Sequence, residues 1–152
     1  MPVARLRILS RLPAAIPSPT GHTFDGRIAL IGYELERTSV QPGEVLRGRL
    51  YFRGLAPIPR DYTVFVHVTA EYPDGRRTLV GQHDAQPSEG GFPTSTWQIG
   101  ENFDHDFRIR VPADTPIGDM VLDVGWYDAT NGQRLPVGDS HFVRLTPIGV
   151  RR

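Results

Sequence analysis

The sequence predicts an all-β chain, an antiparallel sandwich of about seven strands, and three observations carry that expectation. Beyond Phe24 no stretch sustains a long apolar face at the 3.6-residue period of a helix. Short runs rich in β-branched and aromatic residues alternate instead between apolar and polar positions, as half-buried strands do. Clusters of Gly, Pro, Asn and Asp separate those runs, and each such cluster is a turn signal.

The strands follow in order. "RIALIGYELE" (27–36) leads through "SVQPGE" into "VLRGRLYFR" (45–53), where Leu46, Gly48, Leu50 and Phe52 share a face opposite Arg47, Arg49, Tyr51 and Arg53. "GLAPIPRD" precedes "YTVFVHVTAEY" (62–72). Its Tyr62, Val64, Val66 and Val68 form one face, yet Phe65 on the other is also apolar, the pattern of a central strand covered on both sides. "PDGRR" is a hairpin turn, and "TLVGQHD" (78–84) is the return strand. In "NFDHDFRIRV" (102–111), Phe103, His105, Phe107, Ile109 and Val111 oppose Asp104, Asp106, Arg108 and Arg110. In "DMVLDVGWYDA" (119–129), Met120, Leu122, Val124 and Trp126 face the core, opposite Val121, Asp123, Gly125 and Tyr127. "DATNGQR" holds Asn131-Gly132, a two-residue hairpin signal, and "SHFVRLTPI" (140–148) is the seventh strand. Seven strands at this spacing describe an immunoglobulin-like or fibronectin-like sandwich.

One device recurs: "QPGEVL", "QIGENF" and "PIGDMV" each set Gly and an acid directly before a strand. A type II turn needs positive φ at its third position, which glycine supplies. Trp97 stands just before the second of these turns, in "GGFPTSTWQIGE" (90–101), where the chain crosses between sheets. There it is expected to plug one end of the core instead of forming an exposed platform.

Composition narrows the possible functions. A chain of 152 residues suits one domain, and it contains no cysteine for a disulfide framework or a thiolate metal site. Formal net charge is zero, all 17 basic residues being arginine, which argues against a nucleic-acid partner. No apolar stretch is long enough for a membrane span. The start carries Arg5, Arg7 and Arg11 without an acid, and Arg11, Pro13 and Pro17 break its apolar runs, so it reads as an arm and not a signal peptide. The expected organisation is a basic, Pro-rich arm or linker over 1–23, the sandwich over 24–148 and a basic tail over 149–152.

The "LIGYEL" opening (30–35), the "QPGE" turn, "DYTVFVHV", "PTSTWQIGE" and "GWYDATNGQRLPV" together resemble a C-terminal β-sandwich accessory domain of bacterial membrane proteins. Those proteins are glycosyltransferase-like, of the dolichyl-phosphate-mannose–protein mannosyltransferase type. The resemblance covers about residues 24 to 146. It implies no catalytic residue here, since the catalytic part of such enzymes is their membrane portion. It also implies two settings: a free-standing relative, or a domain that the arm tethers after a last membrane span and that faces outward from the cytoplasm. The partners implied are a glycan, a lipid-linked sugar or that membrane portion.

Weighed as chemistry, the residues point away from catalysis. There is no Gly-x-Ser-x-Gly elbow, and Ser88, Ser95 and Ser140 lie in turn contexts. Glu34/Glu36 and Asp104/Asp106 are exposed pairs two apart on strands, not carboxylates flanking a cleft. His105 points away from Asp104 and Asp106, so those three cannot converge, and His67, His83 and His141 meet only if tertiary folding brings them together. No cofactor and no transition metal is expected. A calcium ion would find loop carboxylates only around Asp128 and Asp139, which lack EF-hand spacing. The chain is therefore expected to be no enzyme. The ligand site expected is an outer sheet face. If the third, sixth and seventh strands are neighbours, that face gathers Phe65, His67, Asp123, Tyr127, Phe142 and Arg144, aromatic and polar groups suited to a sugar. Tyr51 lies on the outer face of the other sheet. The alternative reading is a stand-alone, inhibitor-like protein-binding sandwich.

Overall fold

A computed structural model describes residues 15–152, the side chains of 88 and 89 excepted. Its strands are β1 (Ser18–Phe24), β2 (Ile28–Leu35), β3 (Ser39–Val40), β4 (Val45–Gly54), β5 (Tyr62–Glu71), β6 (Arg77–Ala85), β7 (Asn102–Arg110), β8 (Gly118–Asp128), β9 (Val143–Arg144) and β10 (Ile148–Val150). They form two sheets. One has the order β1-β2-β4-β7, and the other runs β3-β10-β8-β5-β6 with β9 also against β8. The fold is the all-β, immunoglobulin-like sandwich that the alternation predicts, antiparallel throughout except where β3 runs parallel to β10. The inward sets named above, from Leu46 to Phe52, Val64 to Val68, Phe103 to Ile109 and Met120 to Trp126, interlock between the sheets as one core.

The two ends of the chain differ from expectation. Residues 1–14 of the expected arm lie outside the described residues, but Ser18–Phe24 is a strand, bulged between Pro19 and His22. Its side chains are mostly exposed, so no alternation marks it; backbone pairing to β2 and the fully buried Phe24 hold it in place. The expected seventh strand is broken in two at Pro147, which has no N–H to donate to a ladder, while Thr146 N–H donates to the Tyr33 hydroxyl at 3.2 Å. The expected tail begins inside β10: Gly149 N–H donates to Thr38 O, Arg151 N–H to Val40 O, and Val150 is buried.

The turns follow their glycines with two exceptions. Gly43 and Gly100 take φ of 90° and 83°, and the i to i+3 bonds Glu44 N–H to Gln41 O and Glu101 N–H to Gln98 O close both turns. The third, at Gly118, has φ of 140° and is already part of a strand, paired with Val150. Asn131-Gly132 does not form a two-residue hairpin. Asp128 and Gln133 close a longer loop, and the chain returns only as far as an isolated bridge between Tyr127 and Arg134.

Trp97 is the plug. It is 7 % exposed, stacks on Phe103 with 5.0 Å between ring centres, and meets Trp126 edge-on at 5.8 Å. Its indole N–H donates to Phe92 O at 2.9 Å, so the polar atom is satisfied as the ring closes the core. The crossover around it is tied to the start of β5: Thr94 Oγ1 accepts from Tyr62 N–H and donates to Arg60 O, and Asp61 accepts from Ser95.

Candidate functional site

The outer face of the larger sheet is where the expected residues meet. β8 lies between β5 and β9, so His67 sits opposite Asp123, and Asp123 in turn opposite Arg144. Phe65 lies opposite Gly125 on β8 and Asp84 on β6. Gly125 is required here: a Cβ at that position would stand 2.3 Å from Phe65 Cζ and 3.0 Å from His141 O. The Phe65 ring therefore lies flat over the β8 backbone, 4.6 Å from the His67 ring and 6.1 Å from that of Tyr127.

Phe65 is nonetheless not a platform. It is 1 % exposed, because the segment after β8 folds over this face and the Arg134 guanidinium caps its ring at 4.4 Å. It forms the floor of the patch. Phe142, beneath the Arg144 guanidinium at 5.4 Å, is the more accessible aromatic. Tyr51 on the other sheet is also buried, its hydroxyl donating to Glu34 Oε2 at 3.0 Å.

The polar groups of the patch form two linked sets. Asp84 Oδ2 accepts from the Tyr127 hydroxyl at 3.0 Å, and its Oδ1 lies 3.4 Å from His67 Nε2. Burial first, and the Asp84 carboxylate second, push the Tyr127 hydroxyl pKa up, which keeps it a donor. Arg144 grips Asp123 with a two-bond fork, at 2.9 and 3.1 Å, and that bond holds its guanidinium charged. Asp84 and Arg134 were not among the expected site residues. Asp84 ends the return strand "TLVGQHD", and only the place of β5 between β6 and β8 brings it to Tyr127; Arg134 reaches the site through a loop, which no periodicity reports.

Elsewhere the carboxylates weighed as acid pairs or calcium ligands at 104, 106 and 128 are engaged. Asp104 and Asp106 face outward to Arg49, while His105 turns inward and stacks on His83 at 5.7 Å. Asp128 Oδ1 accepts from the Thr130 N–H and hydroxyl and Oδ2 from Arg60, so both oxygens that calcium would use are occupied by donors. Among the described residues no three His, Asp or Glu side chains converge as a metal-binding group.

No family model and no curated protein matches this sequence. Solved structures do share its form. The C-terminal domain of Wzt is similar with a TM-score of 0.56 and 13% identity, over 93% of this chain and 83% of that one. The sporulation control protein Spo0M from Bacillus subtilis gives 0.53 at 18% identity, over 84% of this chain and 50% of its own. The alkylpurine DNA glycosylase AlkC from Pseudomonas fluorescens gives 0.50 at 12%, over 84% of this chain and 31% of its own. What they share is the fold. In two of the three, this chain spans half or less of the longer protein, so the sandwich is a module that recurs within larger chains.

Proposed function

We propose that this chain is a non-catalytic accessory module of a membrane glycosyltransferase-like protein, and that its larger sheet contacts a glycan or lipid-linked sugar. One observation supports this most directly: Asp84 shared between Tyr127 and His67, beside the Asp123–Arg144 fork and the half-buried Phe142. Sugar hydroxyls both donate and accept, and such a cluster offers acceptors, donors and an aromatic surface within one sheet face. Both carboxylates are held by donors, Asp84 by the Tyr127 hydroxyl and Asp123 by the Arg144 fork. No helix of the described residues is long and apolar enough to cross a membrane.

A glycan array probed with the intact chain tests this. A specific hit should weaken about tenfold in Tyr127→Phe or Asp84→Asn, as expected for a lost hydrogen bond to a charged group. Arg76→Gln, in the β5–β6 turn, should leave it unchanged. A blank array would turn attention to the second reading, a protein-binding loop rim. That reading is favoured by Ile99 and Leu55, 66% and 39% exposed, flanking the hydrogen bond from Gly100 N–H to Gly54 O.

A further inference from the structure

The smaller sheet carries a pair of arginines that no side chain among the described residues neutralises. Arg47 of β4 stands directly opposite Arg108 of β7. Val111 N–H donates to Glu44 O and Gly54 N–H to Glu101 O, so the hydrogen-bonded rungs fall at odd-numbered residues of β7 and Arg108 lies between them. At such non-hydrogen-bonded pairs the facing Cα atoms are only about 4.5 Å apart, and like charges set opposite each other are destabilising.

Neighbouring arginines are matched. Arg37 binds Glu36 and Glu44, Arg49 binds Asp106 at 2.6 Å, Arg53 donates to Asn102, and Arg110 donates to Gly43 O. Arg47 and Arg108 form no ion pair or side-chain hydrogen bond among the described residues. The nearby acids are already committed: Asp104 and Asp106 to Arg49, Glu34 to Tyr51, Glu36 to Arg37. Both free guanidiniums line a groove of about 730 Å³ that also takes in His83 and the Asp104 and Asp106 carboxylates, the latter two engaged by Arg49.

We propose that this groove binds a phosphate-bearing ligand, one phosphate group gripped by the Arg47 and Arg108 forks together. Two planar guanidiniums present parallel N–H pairs that match the oxygens of a tetrahedral dianion, and its double charge offsets a repulsion that a single carboxylate would only halve. His83 borders the same groove as a further imidazole. The two arginines are on the opposite sheet from the glycan patch, and the site does not rest on that reading.

Inorganic phosphate titrated into the ¹⁵N-labelled full chain, followed by NMR, is the test. Saturable shifts should centre on residues 47 and 108 of β4 and β7, and Arg108→Gln should weaken them about tenfold or more, the effect of losing a charge-assisted bond. Because Arg108→Gln also removes the repulsion, it should melt at or above the wild type in phosphate-free buffer. Phosphate should then raise the wild-type Tm but not that of the variant. A hexose 1-phosphate binding more tightly than phosphate identifies a sugar ester as the source. Co-flotation with phosphatidylcholine vesicles only when phosphatidic acid is present identifies a lipid headgroup, provided Arg47→Gln abolishes it. Absence of saturable shifts, or shifts and flotation that persist in both arginine variants, would overturn the proposal.

Discussion

At the scale of single residues, neighbours decide roles that residue type leaves open. Trp97 and Phe65 are both large aromatics, and the sequence separated them by context, a turn for one and an outward strand position for the other. The first expectation held because the turn sits at a sheet crossover, where an indole finds Phe103 and Trp126. The outward phase of Phe65 was also read correctly, yet Arg134 covers its ring, and a loop's return path leaves no mark in local sequence. Asp128 shows the same dependence in electrostatic form. Hydrogen bonds from the Thr130 hydroxyl and N–H, then from Arg60, hold its carboxyl down at about 2, below the ordinary 3.8. The folded state therefore favours the ionised form. The stability this gives is complete above about pH 4 and is lost as pH falls toward 2. Acid titrations of urea unfolding should show wild type and Asp128→Asn separated at neutral pH and converging across that window. A constant gap would mean the carboxylate charge contributes nothing.

At the scale of elements, alternation located β4, β7 and β8, because burial on one side imposes a period of two, while β2, β5 and β6 were marked by β-rich runs between turn signals. It failed for β1, an exposed edge strand whose attachment is mainly backbone to backbone, and for the break between β9 and β10. The pairing of β5, β8 and β9 is what joins the candidate site, and it depends on close contact at Gly125. Gly125→Ala drives a methyl into the Phe65 ring and the His141 carbonyl. A loss of about 1–3 kcal/mol is expected, the usual cost of overpacking, measured by denaturant unfolding. It should be accompanied by NMR shifts at Phe65, Tyr127 and Arg134. An unchanged midpoint would show that the loop yields freely.

At the scale of the whole molecule, the last residues are structural. β10 pairs with β8 on one side and, in parallel, with β3 on the other, tying residues 149–150 to 39–40. Ile148 and Val150 are fully buried. Ending the chain at Pro147 should cost about 3–6 kcal/mol, from two buried aliphatic side chains at the usual increment. Thermal melts would detect this, and a truncated chain as stable as the full one would contradict it. By itself the sequence determined the sandwich, the inward set of its long strands, the glycine turns at 43 and 100 and the Trp97 plug. Each of these follows from local stereochemistry or from the pleat's period of two. Only the tertiary structure decided which strands became neighbours. It thereby set Asp84 between Tyr127 and His67, buried Phe65 beneath Arg134 and opposed Arg47 to Arg108. Those are encounters between distant segments, fixed by sheet order and loop path, and no local pattern in the chain encodes them.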